Sequence, residues 1–264
     1  MTAPHPFGGV NVVEHCFLGY VTISARVRTP EAEPMHINIR DYGRIVVLTG
    51  AGVSVASGLR SYRGPAGACA LTQGPRDTWN LFGGMREPVL AAGPNPAHVA
   101  LARWESSLRA DQEFLLITQN IDGLHQQAGS RNVCEIHGNI MYTKCSNFDC
   151  TLERFRDTAT HQDHVPSCTL CGQALRPDIV LFGEEPPVRP TWVAKRALQD
   201  CDLFVAIGTS GTVAPACNFA RGAADVGART IYLNLEPMPE PNPAFQEEYL
   251  GRAEELLPRL IGLD

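Results

Sequence analysis

Four cysteines carry the clearest purely chemical signal in this chain. Cys145-x4-Cys150 is followed, after 17 intervening residues, by Cys168-x2-Cys171. Four thiolates close a tetrahedral shell around zinc, and a closed shell is structural because it leaves no position for water. The first pair is looser than Cys-x2-Cys, and His161 and His164 stand nearby as alternative ligands. The segment holds few Lys or Arg residues, which argues against a nucleic-acid-binding ribbon. A second candidate is His137 in Glu135-Ile136-His137-Gly138-Asn139. An imidazole titrates near neutral pH and can accept a proton in catalysis; the competing reading is a core histidine with both nitrogens satisfied. His125 reads as structural. A third is Gly50-Ala51-Gly52-Val53-Ser54, continuing through Ser57-Gly58. Glycines let a backbone approach a ligand phosphate, and a helix capped by one of the serines would offer its free N–H groups. The dinucleotide fingerprint has a third glycine where this chain has Val55; the next glycine is Gly58. No Cys or Ser reads as a nucleophile beside a base.

These groups need positioning, and four apolar runs supply it. Residues 44–49, 114–118, 203–207 and 230–233 are too short for buried helices and suit parallel strands covered on both faces. Each ends in a polar signature: Gly50-Ala51-Gly52, Gln119-Asn120-Ile121-Asp122, Gly208-Thr209-Ser210 and Asn234-Leu235-Glu236. Any one of these also suits an ordinary turn. All four together predict a ligand site at the carboxyl ends of a sheet whose strand order reverses. Helical patterns over 96–108, 192–198 and 215–224 alternate with the runs, and the tail from 245 to 263 reads as partly helical. Residues 64–96 read as a loop with short helices, anchored by Trp79, Leu81, Phe82 and Met85. The expected fold is α/β: a Rossmann-like doubly wound parallel sheet with a small inserted zinc-ribbon module.

A chain of 264 residues can bury a large core, and 44% hydrophobic with 19% charged residues is ordinary for a globular protein. Its net charge of -6 gives no support for a general nucleic-acid binder, and no apolar run is long enough to span a membrane. The start of the chain lacks the pattern of a secretory leader, so the nine cysteines predict a reducing, cytoplasmic setting. Residues 1–40 form an extension without a motif; a flexible leader and a start at Met35 both remain open. Residues 41–264 form the catalytic domain, with a helical and loop insertion over about 64–96 and the zinc module over about 140–178. Oligomeric state is not legible.

Gly-Ala-Gly-x-Ser-x-x-Ser-Gly followed by Tyr62-Arg63-Gly64 resembles the NAD-binding signature of the sirtuins, NAD-dependent protein deacylases, here of bacterial type. The resemblance spans about residues 43–260. It implies NAD as co-substrate, one structural zinc ion, and an acyl-lysine protein or peptide as substrate, without direct nucleic-acid or membrane partners. Gly50, Ala51, Gly52, Ser54, Ser57, Tyr62 and Arg63 would then line the cofactor site, with Arg63 on a loop over it. Gln119, Asn120, Ile121 and Asp122 would line the nicotinamide and ribose pocket, with Asn120 and Asp122 taking part in the chemistry. Gly208, Thr209 and Ser210 would hold ribose and phosphates; Asn234, Leu235, Glu236 and Ala253 would flank the adenosine. The acyl oxygen would attack the anomeric carbon as nicotinamide leaves; His137 would act as general base on a ribose hydroxyl, which attacks the imidate carbon, and water would then release the lysine. The products would be nicotinamide, free lysine and O-acetyl-ADP-ribose. Val180, Leu181, Phe182 and Gly183 match the loop that pairs with an extended peptide.

In sirtuins that remove succinyl and malonyl groups, a Tyr and an Arg bind the acyl carboxylate; here those positions fall on Phe82 and Met85, beside Arg86. That implies an apolar acyl floor and a deacetylase. An ADP-ribosyltransferase or NAD hydrolase would use the same pocket, and a non-enzymatic NAD-sensing scaffold is the other rival; the presence of Asn120, Asp122 and His137 disfavours the scaffold.

Overall fold

The computed structural model describes residues 26–28, 36–60, 74–181, 183–211, 216–238 and 240–262. Tyr62, Arg63 and Phe182 lie outside the described residues.

Two sheets organise the chain. The larger has seven parallel strands: β1 (Arg26–Arg28), β2 (Arg44–Thr49), β3 (Glu113–Thr118), β4 (Val133–Glu135), β8 (Leu203–Ile207), β9 (Arg229–Asn234) and β10 (Glu247–Leu250). The smaller is antiparallel, with β5 (Gly138–Cys145) between β6 (Phe155–Arg156) and β7 (Leu175–Ile179). It lies in sequence between β4 and β8 of the larger sheet. The four expected strands are all present, and β1, β4 and β10 extend the sheet at its edges. The large-sheet order is β1-β10-β9-β8-β2-β3-β4. The chain therefore runs outward one way from β2 and the other way from β8, and the reversal falls between these two neighbours.

Residues alternate between two apolar layers, as the period of two along a strand demands. Ile45 and Val47 of β2, with Leu203 and Val205 of β8, face α3 (Pro96–Ser106) and α7 (Ala253–Leu260). Val46 and Leu48, with Phe204 and Ala206, face α5 (Val188–Ala197) and α6 (Phe219–Asp225). The central strands are apolar on both faces for this reason. The insertion forms α1 (Pro75–Phe82) and α2 (Arg86–Ala91), which with the small sheet make a third cluster around Phe82, Val89, Ile140, Met141 and Ile179. A last short helix, α4 (Leu124–Gln127), follows β3. No helix among the described residues is long and apolar enough to cross a membrane.

Candidate active site

The strand-order reversal puts the ends of β2 and β8 side by side, and glycines make the fit. The Gly52 N–H donates to the Gly208 carbonyl at 2.8 Å. A Cβ on Gly50 would lie 2.8 Å from the Gly208 carbonyl oxygen, and one on Gly52 2.8 Å from the Gly208 Cα. Both distances are shorter than real Cβ contacts allow, so the two turns demand glycine for each other's sake. Gly208 itself takes a φ of 61°, where a side chain is strained. The expected capped helix after β2 is instead a 3₁₀ helix over Ala51–Ser57, with no side-chain cap at Gly50 and a left-handed Gly58 at its end. Ser54 is turned into the interior rather than capping.

Ser54 there meets the end of β3. The Ser54 hydroxyl donates to Asp122 Oδ2 at 2.7 Å, and Asn120 Nδ2 donates to Ser54 Oγ at 3.2 Å and to the Gly50 carbonyl at 3.1 Å. The Leu124 N–H holds the other Asp122 oxygen at 2.9 Å. Asn120 and Asp122 are buried, and Ile121 is half-buried between them. Behind them lie groups that sequence reasoning missed. The Asn95 N–H donates to His98 Nδ1 at 3.3 Å, so the proton of neutral His98 sits on Nε2, 3.5 Å from Ser54 Oγ. Burial lowers His98 to about 4, despite Asp122 nearby. The His125 ring lies 4.8 Å from it, centroid to centroid, and His125 Nε2 is 2.9 Å from Thr49 Oγ1. Burial first, then His98, lowers His125 to about 3. Both are neutral at pH 7. The available signal was Asn95-Pro96 before a helical run, an N-cap followed by proline.

Across the crevice, Thr209 Oγ1 donates to Gln119 Oε1 at 2.7 Å, linking the ends of β8 and β3. Asn234 Nδ2 donates to the Thr209 carbonyl at 3.3 Å, which brings in β9. The Gly251 N–H donates to the Asn234 carbonyl at 2.9 Å, so the turn into Ala253 and α7 starts beside it. Ser57 is half-buried and accepts from Asn95 Nδ2 at 2.9 Å. Ser210, Leu235 and Glu236 are exposed at the rim. The structure thus gathers Gly50, Gly52, Ser54, Gln119, Asn120, Asp122, Gly208, Thr209 and Asn234 at one crest.

His137 joins them by a single contact that fixes its chemistry. Its Nδ1 lies 3.0 Å from the Gln119 carbonyl, which can only accept, so Nδ1 carries the proton and Nε2 presents a lone pair. Burial lowers the imidazole below its ordinary value, partly offset by that carbonyl, and keeps it neutral and basic at pH 7. The Val180 N–H donates to the His137 carbonyl at 3.0 Å, placing the segment after β7 alongside. Leu181, Met85 and Ile121 each pack against the third apolar cluster, of which Phe82 is a buried member. Gly183 turns the loop with a φ of 86°.

Arg86 is committed elsewhere. It is fully buried, donates from Nε to the Ile140 carbonyl at 2.9 Å and from Nη2 to Thr143 Oγ1 at 2.8 Å, and pairs with Asp157 at 3.1 Å. Burial raises the cost of the Asp157 charge, but bonds from Thr143, His161, the Ala159 N–H and Arg86 outweigh it and lower the carboxyl to about 2. His161 Nε2 contacts Asp157 at 2.8 Å, and among the described residues the group that could hold a metal is the four cysteines, without His161 or His164. The four cysteine sulfurs all lie within 4.8 Å of one another, with Cys145–Cys171 at 3.5 Å and Cys150–Cys168 at 3.6 Å. Tetrahedral zinc with bonds of about 2.3 Å separates sulfurs by about 3.8 Å, so the thiolate set fits one zinc ion.

Comparison with known proteins agrees with this geometry. The profile described as "Sir2 family" matches residues 50–215. The chain is 38% identical over 232 residues to an NAD-dependent protein deacylase of Pasteurella multocida (strain Pm70), covering 83% of this chain and 96% of that protein. It is 37% identical over 229 residues to NAD-dependent protein deacetylase 1 of Pyrobaculum aerophilum, covering 82% and 88%. A solved Sir2 homologue in complex with NAD superposes with a TM-score of 0.73 at 31% identity, covering 83% of this chain and 88% of that one.

Proposed function

The chain belongs to the Sir2 family, and from that premise we propose how its residues carry out the reaction of an NAD-dependent protein-lysine deacetylase. When bound, NAD would supply the anomeric carbon that the acyl oxygen attacks, the ribose hydroxyl that takes over the acyl group, and nicotinamide as the leaving group. Gly50, Ala51 and Gly52 would let its phosphates come close to the backbone, together with Gly208, Thr209 and Ser210; Ser57, Tyr62 and Arg63 complete that side. Asn234, Leu235, Glu236 and Ala253 flank the adenosine. Gln119, Asn120, Ile121 and Asp122 enclose the nicotinamide ribose. The Ser54 hydroxyl orients Asp122, so that its carboxylate faces the carbon where positive charge develops. Val180, Leu181, Phe182 and Gly183 pair with the peptide backbone. The Cys145, Cys150, Cys168 and Cys171 thiolates hold zinc as a closed structural site, away from the chemistry.

The observation that carries the reading is the His137 tautomer. Its Nδ1–H is committed to the Gln119 carbonyl, so Nε2 is the free base that takes a proton from a ribose hydroxyl. Burial holds that base neutral. The remaining assignments are residues 41–264 as the catalytic domain, with an insertion over about 64–96 and a zinc module over about 140–178. We place the protein in the cytoplasm, with an acyl-lysine protein as its partner and no direct contact to nucleic acid. Phe82 and Met85 make the acyl floor apolar, and Arg86 is spent on Asp157. A succinyl carboxylate would be buried unpaired there, at a cost of several kcal/mol, about a thousandfold in preference.

Mass spectrometry of products from NAD and a panel of acyl-lysine peptides tests the reading. It requires nicotinamide, free lysine and O-acetyl-ADP-ribose, with kcat/KM on acetyl far above succinyl. ADP-ribosylated protein or free ADP-ribose without deacylation would assign the same pocket to a transferase or hydrolase.

A further inference from the structure

Helix α5 presents an outer face that the core does not use. At 100° per residue, Lys195, Val188, Trp192, Arg196 and Arg189 fall on one continuous arc, and all five are exposed. Trp192 is 64% exposed and Val188 86%, one helical turn apart at the centre of the arc. The opposite side is buried: Ala194 joins the layer against β3 and β4, and Cys134 of β4 donates to the Pro190 carbonyl at 3.3 Å. The helix contains no acidic residue, in a chain of net charge -6. Among the described residues, none of Arg189, Lys195 and Arg196 pairs with a carboxylate; Arg196 contacts only the Gln199 side chain, at 3.0 Å.

A solvated helix face would ordinarily be mixed in sign and free of tryptophan. An exposed Trp flanked by unpaired cations is instead the composition of a binding anchor. Its place in the chain identifies the partner. Val188 follows Val180 by eight residues, so the two are at most about 28 Å apart, the reach of about eight residues of extended peptide. We propose that this face docks an acidic, apolar-containing segment of the acyl-lysine protein itself, so that the enzyme selects lysines lying near clusters of Asp or Glu. The inference rests on the deacylase reading and deepens it.

The test uses one acetyl-lysine core peptide without a tail, and the same core carrying eight-residue tails of Glu/Leu, Ser/Gly or Lys/Leu on either side. With the full-length protein at low salt, the Glu/Leu tail on one side should raise kcat/KM about tenfold over Ser/Gly, as expected for a few exposed ion pairs acting together. The gain should shrink as salt is added. R189E/K195E/R196E should reverse the order of the Glu/Leu and Lys/Leu tails, and W192A should remove about a threefold part of the gain. Both variants should keep wild-type kcat/KM on the tail-less core. Equal kcat/KM for all tails, or an acidic preference surviving the triple reversal, overturns the proposal. So does a short DNA duplex binding through the same three residues while acidic tails gain nothing. Fluorescence anisotropy of a labelled Glu/Leu-tailed peptide reads the docking without turnover. If the tail-less core is never deacylated, the deacylase reading fails, while the anisotropy still decides the surface.

Discussion

In the seven-stranded sheet the polar groups stand at the strand ends, above two apolar layers. In the three-stranded sheet a charge pair, Arg86 with Asp157, lies inside beside a small apolar cluster. The large sheet buries Val, Ile, Leu and Phe on both faces, and its Ser54–Asp122, Asn120–Gly50 and Thr209–Gln119 bonds sit on a platform that exists without them. The small sheet shares one small apolar cluster with α1 and α2. It relies on four cysteines at one end and on Arg86, fully buried against Asp157, at the other. A domain this small cannot supply enough core and needs a staple. The contrast is between many weak, separable contacts and two strong ones on which everything nearby depends.

The largest effect is therefore expected at the zinc site. Cys168→Ser removes a buried ligand, and structural zinc contributes on the order of 10 kcal/mol of apparent binding free energy. Zinc content should fall to near zero, and the small sheet should lose protection in hydrogen exchange while β2, β3 and β8 keep theirs. Full zinc retention with unchanged exchange would show that other ligands close the shell.

His137→Ala is expected to act on chemistry alone. Losing a positioned base costs about 10²–10⁴-fold in turnover, with melting temperature and NAD binding close to wild type. The pH profile gives a second reading. The working form is neutral and burial lowers its pKa, so the acid limb of kcat/KM should fall below the usual histidine value of about 6.5. An acid limb above that value, or a variant with near wild-type turnover, would remove His137 as the base.

Arg86→Ala tests the second staple. It leaves the largely buried Asp157 without its guanidinium and frees the Ile140 carbonyl, a change that costs up to about 3–5 kcal/mol. The loss should appear as a lower melting temperature and, if Met85 lines the proposed acyl floor, a raised KM for the acyl peptide, because Arg86 adjoins Met85. Arg86→Ala melting like wild type would mean that the small sheet stands on zinc alone.

Sequence and structure agree most where one element decides its own fate. The runs at β2, β3, β8 and β9 are legible because a strand buried on both faces needs no partner to be recognised. Val133–Glu135 is too short to show a pattern, and Glu247–Leu250 opens with two glutamates; their strand character comes from the neighbours they pair with. The cysteine spacing is legible because metal geometry constrains it directly. Ser54 is not: near a helix start a serine reads as a cap, and only the fold brings Asp122 within 2.7 Å. The Arg86–Asp157 pair joins segments distant in sequence, and neither residue carries a local sign of it.

Asn95 offers the smallest effect and the sharpest comparison, because one side chain serves both local and tertiary ends. Its Oδ1 accepts from the Ala97 N–H at 2.9 Å, capping α3, while its Nδ2 donates to the Val53 carbonyl at 2.8 Å and to Ser57 Oγ at 2.9 Å. Asn95→Ala should cost about 1–2 kcal/mol, the worth of a cap and a neutral hydrogen bond. That lowers the melting temperature by about 2–8 °C in a chain of this size. KM for NAD should rise several-fold with kcat nearly unchanged, since the 3₁₀ turn loosens while Asn120, Asp122 and His137 keep their own bonds. Asn95→Ser separates the two roles. Its hydroxyl can cap α3 but cannot reach both loop acceptors, so stability should recover while the raised KM persists. If Asn95→Ala instead collapses the fold as Cys168→Ser is expected to do, the large sheet depends on its polar crest as strongly as the small sheet depends on its staples.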